Sequence, residues 1–179
     1  MRTSTRRWIV IGLGTLTALL AAGSGVWVGL KHQPEFYRRM IQMPTEHRQA
    51  EARRFVAESL RLRNDIVNES RWRAVFSDEE VNAWLAEDLV SHFADQIPAG
   101  VHDPRVLFDD DRVTLAFQLD QGPMSSVVWA VVRVRVPAPN QIALTLEKIR
   151  AGALPMPTEQ FLERITEHAL SHGLDLVWT

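Results

Sequence analysis

Apolar and polar positions alternate with different periods along the chain, and each period predicts a different element. Trp8 to Leu30 is a run of 23 residues without a charged side chain. At about 1.5 Å per residue, a helix of that length crosses the roughly 30 Å hydrocarbon core of a bilayer. Trp8 and Trp27 stand near its two ends, where indole rings favour the interface. From Thr45 the pattern becomes helical but amphipathic: Ala52, Phe55, Val56, Leu60, Leu62 and Ile66 form an imperfect stripe that predicts a helix to about Asn68. Ser77-Asp78-Glu79-Glu80 is a capping box, flanked by Phe76 and Val81 at the hydrophobic-staple positions. It opens a helix expected to reach about Asp95, with Val81, Trp84, Leu85, Leu89 and Phe93 on one face. Pro98 and Gly100 stop it.

The period then changes to two. Val106-Leu107-Phe108 leads into the turn Asp109-Asp110-Asp111, and Val113, Leu115, Phe117 and Leu119 alternate with Thr114, Ala116, Gln118 and Asp120. Gln121-Gly122-Pro123 turns the chain into a strand with Val128, Ala130, Val132, Val134 and Val136 on one side. Trp129, Val131, Arg133 and Arg135 occupy the other. A further strand carries Ile142, Leu144 and Leu146. After the Gly152–Pro157 segment, a helix is expected from Thr158, with Phe161, Leu162, Ile165, Ala169 and Leu170 inward and Gly173 at its end. Asp175 to Trp178 is a candidate last strand. Runs of helices beside a strand meander predict an α+β fold, with an N-terminal transmembrane helix and helices packed on one face of a 3–5 stranded antiparallel sheet. The expected divisions are a cytoplasmic tail (1–7), a transmembrane helix (8–30), a basic juxtamembrane helical segment (31–72) and an α+β domain (73–179).

Arg2, Arg6 and Arg7 precede the apolar run, and Lys31, Arg38, Arg39 and Arg48 follow it. Counting positive charges does not fix the orientation. A short basic tail before the first apolar segment favours a cytoplasmic N-terminus and an exported main domain. A cleaved signal peptide competes with the anchor, because Ala21-Ala22-Gly23 is a tolerable cleavage site. Resumption of apolar character at Val26–Leu30 favours the anchor. Within the run Gly14, Ala18, Ala21, Gly25 and Gly29 share one seam, and Gly25-x-x-x-Gly29 suits a homodimer through the membrane helix. Frequent small residues in any such helix are the plainer explanation.

With 179 residues, 20 Lys+Arg, 22 Asp+Glu and no cysteine, the composition is globular, and disulfide scaffolds and thiolate chemistry are excluded. A net charge of -2 argues against a nucleic-acid partner. The average conceals an asymmetry. Nine arginines between Arg38 and Arg73 face five acids, whereas the stretch from Ala74 to Asp111 has ten acids and only Arg105. The basic segment would touch lipid head groups, pack on the acidic one, or present a solvated face.

Chemistry is sparse. His168 and His172 stand i,i+4 on the last helix, but Ala169 replaces the glutamate of a metalloprotease motif and no third ligand is evident. Asp109-Asp110-Asp111 lacks the spacing of a calcium loop. No nucleophile elbow or phosphate loop is present. No catalytic residue, metal or cofactor is therefore assigned. What remains is apolar surface: Trp84, Phe117, Trp129 and Val131 are candidate cleft residues, and ordinary core packing is the plainer explanation for each.

Phe76-Ser77-Asp78-Glu79-Glu80-Val81-Asn82-Ala83-Trp84-Leu85 resembles the segment that opens the soluble part of YpmS-like proteins, and Gly152-Ala153-Leu154-Pro155-Met156-Pro157 resembles their Gly-x-Leu-x-x-Pro segment. The resemblance covers roughly residues 70 to 179. It implies a small bacterial protein with one membrane helix and an exported domain, and it brings no catalytic residue. The same helix start also looks like that of some tubular lipid-binding domains. The comparison singles out Asn82, either as a strand-edge bond or as a solvated side chain. The expected function is an anchored, non-catalytic domain that binds lipid or another apolar ligand. The alternative is an assembly subunit that docks a protein partner. Membrane lipids are the expected partners in either case.

Overall fold

The computed structural model describes residues 19–94, 97–138 and 141–159. A helix α1 (residues 19–31) is followed by α2 (Glu35–Ile41), α3 (Thr45–Asn68) and α4 (Asp78–Trp84). A π turn (Leu85–Leu89) continues α4 into α5 (Val90–His92). Strands β1 (Val101–Asp109), β2 (Arg112–Gln121), β3 (Met124–Ala138), β4 (Gln141–Ala151) and β5 (Leu154–Pro155) form one antiparallel meander in sequence order. The fold is α+β, with helices packed against a five-stranded sheet.

The helix boundaries follow from local chemistry. Pro34 and Pro44 cap α2 and α3, where a missing N–H deprives no helical bond. Helix α3 has the limits its apolar period predicts, although Val56 and Leu60 of the expected stripe face solvent. The capping box forms in both directions: the Glu80 amide donates to Ser77 Oγ at 3.1 Å, and the Ser77 amide donates to Glu80 Oε2 at 2.9 Å. The regular helix does not continue to Asp95. It widens into the π turn after Trp84, and α5 ends at His92. The π turn presents Glu87 to the Arg48 side chain of α3.

Two-residue turns fix the sheet register. Gln121 pairs with Met124, so Phe117 lies opposite Val128 and Trp129 opposite Ala116. Directly opposed residues share a face, which puts Phe117 and Trp129 on opposite sides of the sheet. One face carries the cluster Tyr37, Ala116 and Val127 with Phe36, Ile41 and Trp129 around it, so α2 lies over this side. The other carries Val128, Ala130 and Ile149, packed by Phe117, Leu119, Leu146, Ala151 and Met156.

The helices are not confined to one face as expected, because α4 stands at the free edge of β1. There the Asn82 side chain replaces a missing strand. Its Nδ2 donates to the Val106 carbonyl at 2.6 Å, and its Oδ1 accepts from the Val106 amide at 2.8 Å. Pro104 sits nearby in a bulge between His102 and Arg105, with Asp103 at φ +47°. A proline, a bulge and a clamped amide together blunt the edge against pairing with another chain.

Among the described residues no helix is long and apolar enough to cross a membrane. The expected span begins at Trp8, and its residues 8–18 lie outside the described residues, as do His168, His172 and the expected strand at 175–178. Of the expected final helix only 158–159 are described, and both are helical. The strand β5 that follows Gly152-Ala153 was not expected from the sequence.

Candidate functional site

A helix leaves its last carbonyls without partners, and the end of α1 finds them in the sheet. The Ala153 amide donates to the Gly29 carbonyl at 2.8 Å, and Ser126 Oγ donates to the Leu30 carbonyl at 2.7 Å. Gly152 permits this approach. It adopts φ +58°, and a β-carbon on it would collide with the Gly29 and Leu30 carbonyl oxygens. Gly29 itself meets the Leu154 side chain, so this position of the expected helix-dimer seam is covered by the chain's own β5. Ala21 is exposed, and a β-carbon on Gly25 would meet open space. Gly14 and Ala18 lie outside the described residues. The rest of α1 is apolar and exposed: Leu19, Leu20, Val26, Trp27 and Val28 all face outward.

The second feature lies toward the opposite end of the sheet. Helix α3 has 24 residues, whereas the helical segment from Asp78 to His92 against which it packs is shorter. At about 1.5 Å per residue the C-terminal turns of α3 outrun their partner. They leave an apolar groove of about 470 Å3 between α3, α4 and the end of β1. Phe55, Leu62, Ile66 and Val67 supply the α3 wall, with Phe76, Trp84 and Phe108 across from it. Phe55 lies 5.2 Å from both Phe76 and Trp84, ring centre to ring centre. The groove is open along one side, with Ile66 50% and Val67 77% exposed. Its single charged lining residue is Arg63, which pairs with none of the described acids.

Of the expected cleft residues, Trp84 alone lines this groove. Phe117 packs on one sheet face, and Trp129 and Val131 share the other. The Trp129 indole is engaged within the domain. Its Nε1 donates to the Gly152 carbonyl at 2.9 Å, Phe36 meets it edge-on, and Lys148 and Arg150 flank its ring. Asn82 is 2% exposed and committed to Val106. Phe108, Phe76 and Ile66 were read from the sequence as element residues and not as cleft residues. The i, i+4, i+7, i+11 spacing of Phe55, Ser59, Leu62 and Ile66 was the available signal.

Charge is arranged around these features rather than within them. Arg48–Glu87 and His47–Glu79 join the basic and acidic segments, so the two do pack together in part. Tyr37 Oη donates to the Asp103 carbonyl at 2.9 Å, and burial pushes its phenol up to about 12. Burial also lowers the Arg105 pKa, although the Asp103 carboxylate 3.6 Å away opposes that shift. At the far end of the sheet Arg112 and Arg133 both pair with Glu147 and with Asp111. The Asp109–Asp111 run is thus a tight turn, with Asp110 at φ +50°. Among the described residues no group of three His, Asp or Glu side chains could hold a metal ion.

Compared with known protein families, with curated proteins and with solved structures, the chain matches none.

Proposed function

We propose that the protein is a single-pass membrane protein whose exported domain binds an anionic amphiphile, with the acyl chain in the α3 groove and the acidic head against Arg63. The observation that carries this reading is the groove itself. It has an aromatic floor, a volume of 470 Å3 and one cation on its rim. Sites for small apolar ligands commonly run from about 300 to 1,000 Å3 with a few placed polar groups. The anchor in this reading is the charge-free run Trp8–Leu30, whose described part is a helix with its large apolar side chains exposed. The resemblance to YpmS-like proteins points the same way.

A second reading is supported by the open side of the groove. Exposed apolar side chains follow Val67 at Trp72 and Val75. Such a strip also suits an amphipathic acidic helix of a protein partner. Photolabelling separates the two readings. The full chain in mixed micelles is irradiated with a diazirine-bearing fatty acid, and labelled residues are read by peptide mass spectrometry. Labels at residues 62–67 and Phe108, displaced by unlabelled fatty acid, are expected. Labels confined to residues 8–30 would overturn the amphiphile reading and leave the protein-docking one.

A further inference from the structure

A second, polar cavity adjoins the end of α1. It has a volume of about 200 Å3 and is lined by Lys31, Gln33, Gln118, Ser125, Ser126 and Val127. Five of these six carry hydrogen-bonding side chains. Its size is below the roughly 300 Å3 at which drug-sized ligand sites begin, so it suits a head group better than an acyl chain. Its place follows from the α1 junction, since Ser126 both lines the cavity and bonds the Leu30 carbonyl. Lys31 is the first charged residue after the apolar run. Its ammonium lies 4.9 Å from the Trp27 ring centre and pairs with none of the described acids. Asp120 stands beside the cavity: Gln118 Nε2 donates to its carboxylate at 3.3 Å, and Ser125, a cavity residue, lies directly opposite it in the sheet. Hydrogen bonds from Ser125 and Gln118, and the neighbouring His102, keep that carboxyl ionised below the usual range. A cation, neutral donors and an anion therefore follow one another at the level where α1 emerges.

We infer that this cavity is a head-group site for a phosphoethanolamine lipid, with Lys31 on the phosphate and Asp120 on the ammonium. The inference rests on the reading of α1 as a membrane helix, which puts Lys31 and Trp27 at head-group depth. Lys31 on one side and Asp120 on the other match a zwitterion rather than a purely anionic head, with His102 3.5 Å from the Asp120 carboxylate as the neighbour an ammonium would share it with. Neutral donors from Gln33 and Gln118 satisfy the remaining phosphate oxygens.

The test uses the full chain in nanodiscs of equimolar phosphatidylethanolamine and phosphatidylcholine, released gently and weighed by native mass spectrometry. Wild type is expected to retain phosphatidylethanolamine over phosphatidylcholine by about tenfold, the scale of one charge-assisted hydrogen bond. Lys31→Gln should lower retention of both lipids by about tenfold, because both carry the phosphate. Asp120→Asn should lower phosphatidylethanolamine retention about tenfold, to the level of phosphatidylcholine, and leave phosphatidylcholine unchanged, because of the two head groups only the primary ammonium can donate to Asp120. Equal retention by wild type, or a preference that survives both substitutions, overturns the inference. Saturation by inorganic phosphate with no lipid preference would assign the cavity to the free anion and overturn it too. Flotation with vesicles after an alkaline wash checks the anchor separately. A chain that floats without lipid preference contradicts the head-group site alone, whereas one that fails to float contradicts the anchor as well.

Discussion

The two ends of the domain solve opposite problems with similar residues. At the α1 junction, the Ala153 amide and the Ser126 hydroxyl satisfy the Gly29 and Leu30 carbonyls, and Gly152 admits no larger side chain without a collision. At the α3 groove, aromatic and aliphatic side chains of a longer helix are left half covered, with Ile66 and Val67 facing outward. Close packing tolerates no change of volume, whereas an open apolar surface loses little when altered. Substitutions that fill space at the junction should therefore unfold the domain, and substitutions in the groove should leave it folded.

The largest effect is expected at Gly152. Alanine there must adopt a left-handed backbone and displace the Gly29 and Leu30 carbonyls, at a cost of about 3–5 kcal/mol by denaturant unfolding of the full chain in detergent. Asn82→Ala comes next. It orphans a buried amide and a buried carbonyl on Val106, which costs about 2–4 kcal/mol in the same assay. Asn82→Asp keeps the acceptor but sets a carboxylate oxygen against the Val106 carbonyl, so at neutral pH it should cost at least as much as alanine.

A pH series sharpens the comparison at Tyr37, the buried residue of α2 at the centre of one packed face. Its phenol ionises near 10 when unfolded and near 12 when folded. The neutral form is the one the fold prefers, so its contribution is fully present below pH 10 and fades as pH rises through 12. Tyr37→Phe should flatten that part of the stability profile. The smallest junction-independent effect is expected at the exposed ion pairs. Arg112→Gln breaks contacts to Glu147 and Asp111 and should shift the unfolding midpoint less than any substitution above, and less still at high salt.

Much of the fold was legible because its signals are local. The capping box at Ser77 and Glu80, the limits of α3 between Pro44 and Asn68, and the alternation in β2 and β3 all depend on neighbours a few residues apart. The site was harder to read because it depends on register. Reading Gln121-Gly122-Pro123 as a three-residue turn would put Phe117 and Trp129 on the same face. The actual turn has two residues, Gly122 and Pro123, and that single-residue difference moves Trp129 to the other side. The π turn at Leu85–Leu89 likewise has no sequence signature that a helical stripe reveals. Phe108 enters the groove only because α3 runs past α4 toward the end of β1, a contact across forty residues and more. Asn82 shows the intermediate case, since its position was marked but its bond to the edge strand needed the strand to be in place.

The most direct test of the division between a packed junction and a ligand groove is a pair of measurements on Ile66→Asp in the full chain. Binding of a fluorescent polyene fatty acid is followed by energy transfer from the groove indole Trp84, and unfolding is followed in the same detergent. The account predicts an unfolding curve within about 0.5 kcal/mol of wild type, as for surface positions generally, and affinity weakened by about tenfold or more, the scale of burying an acyl chain against a charge. Unchanged affinity in the folded variant, or loss of binding only through loss of the fold, would contradict it.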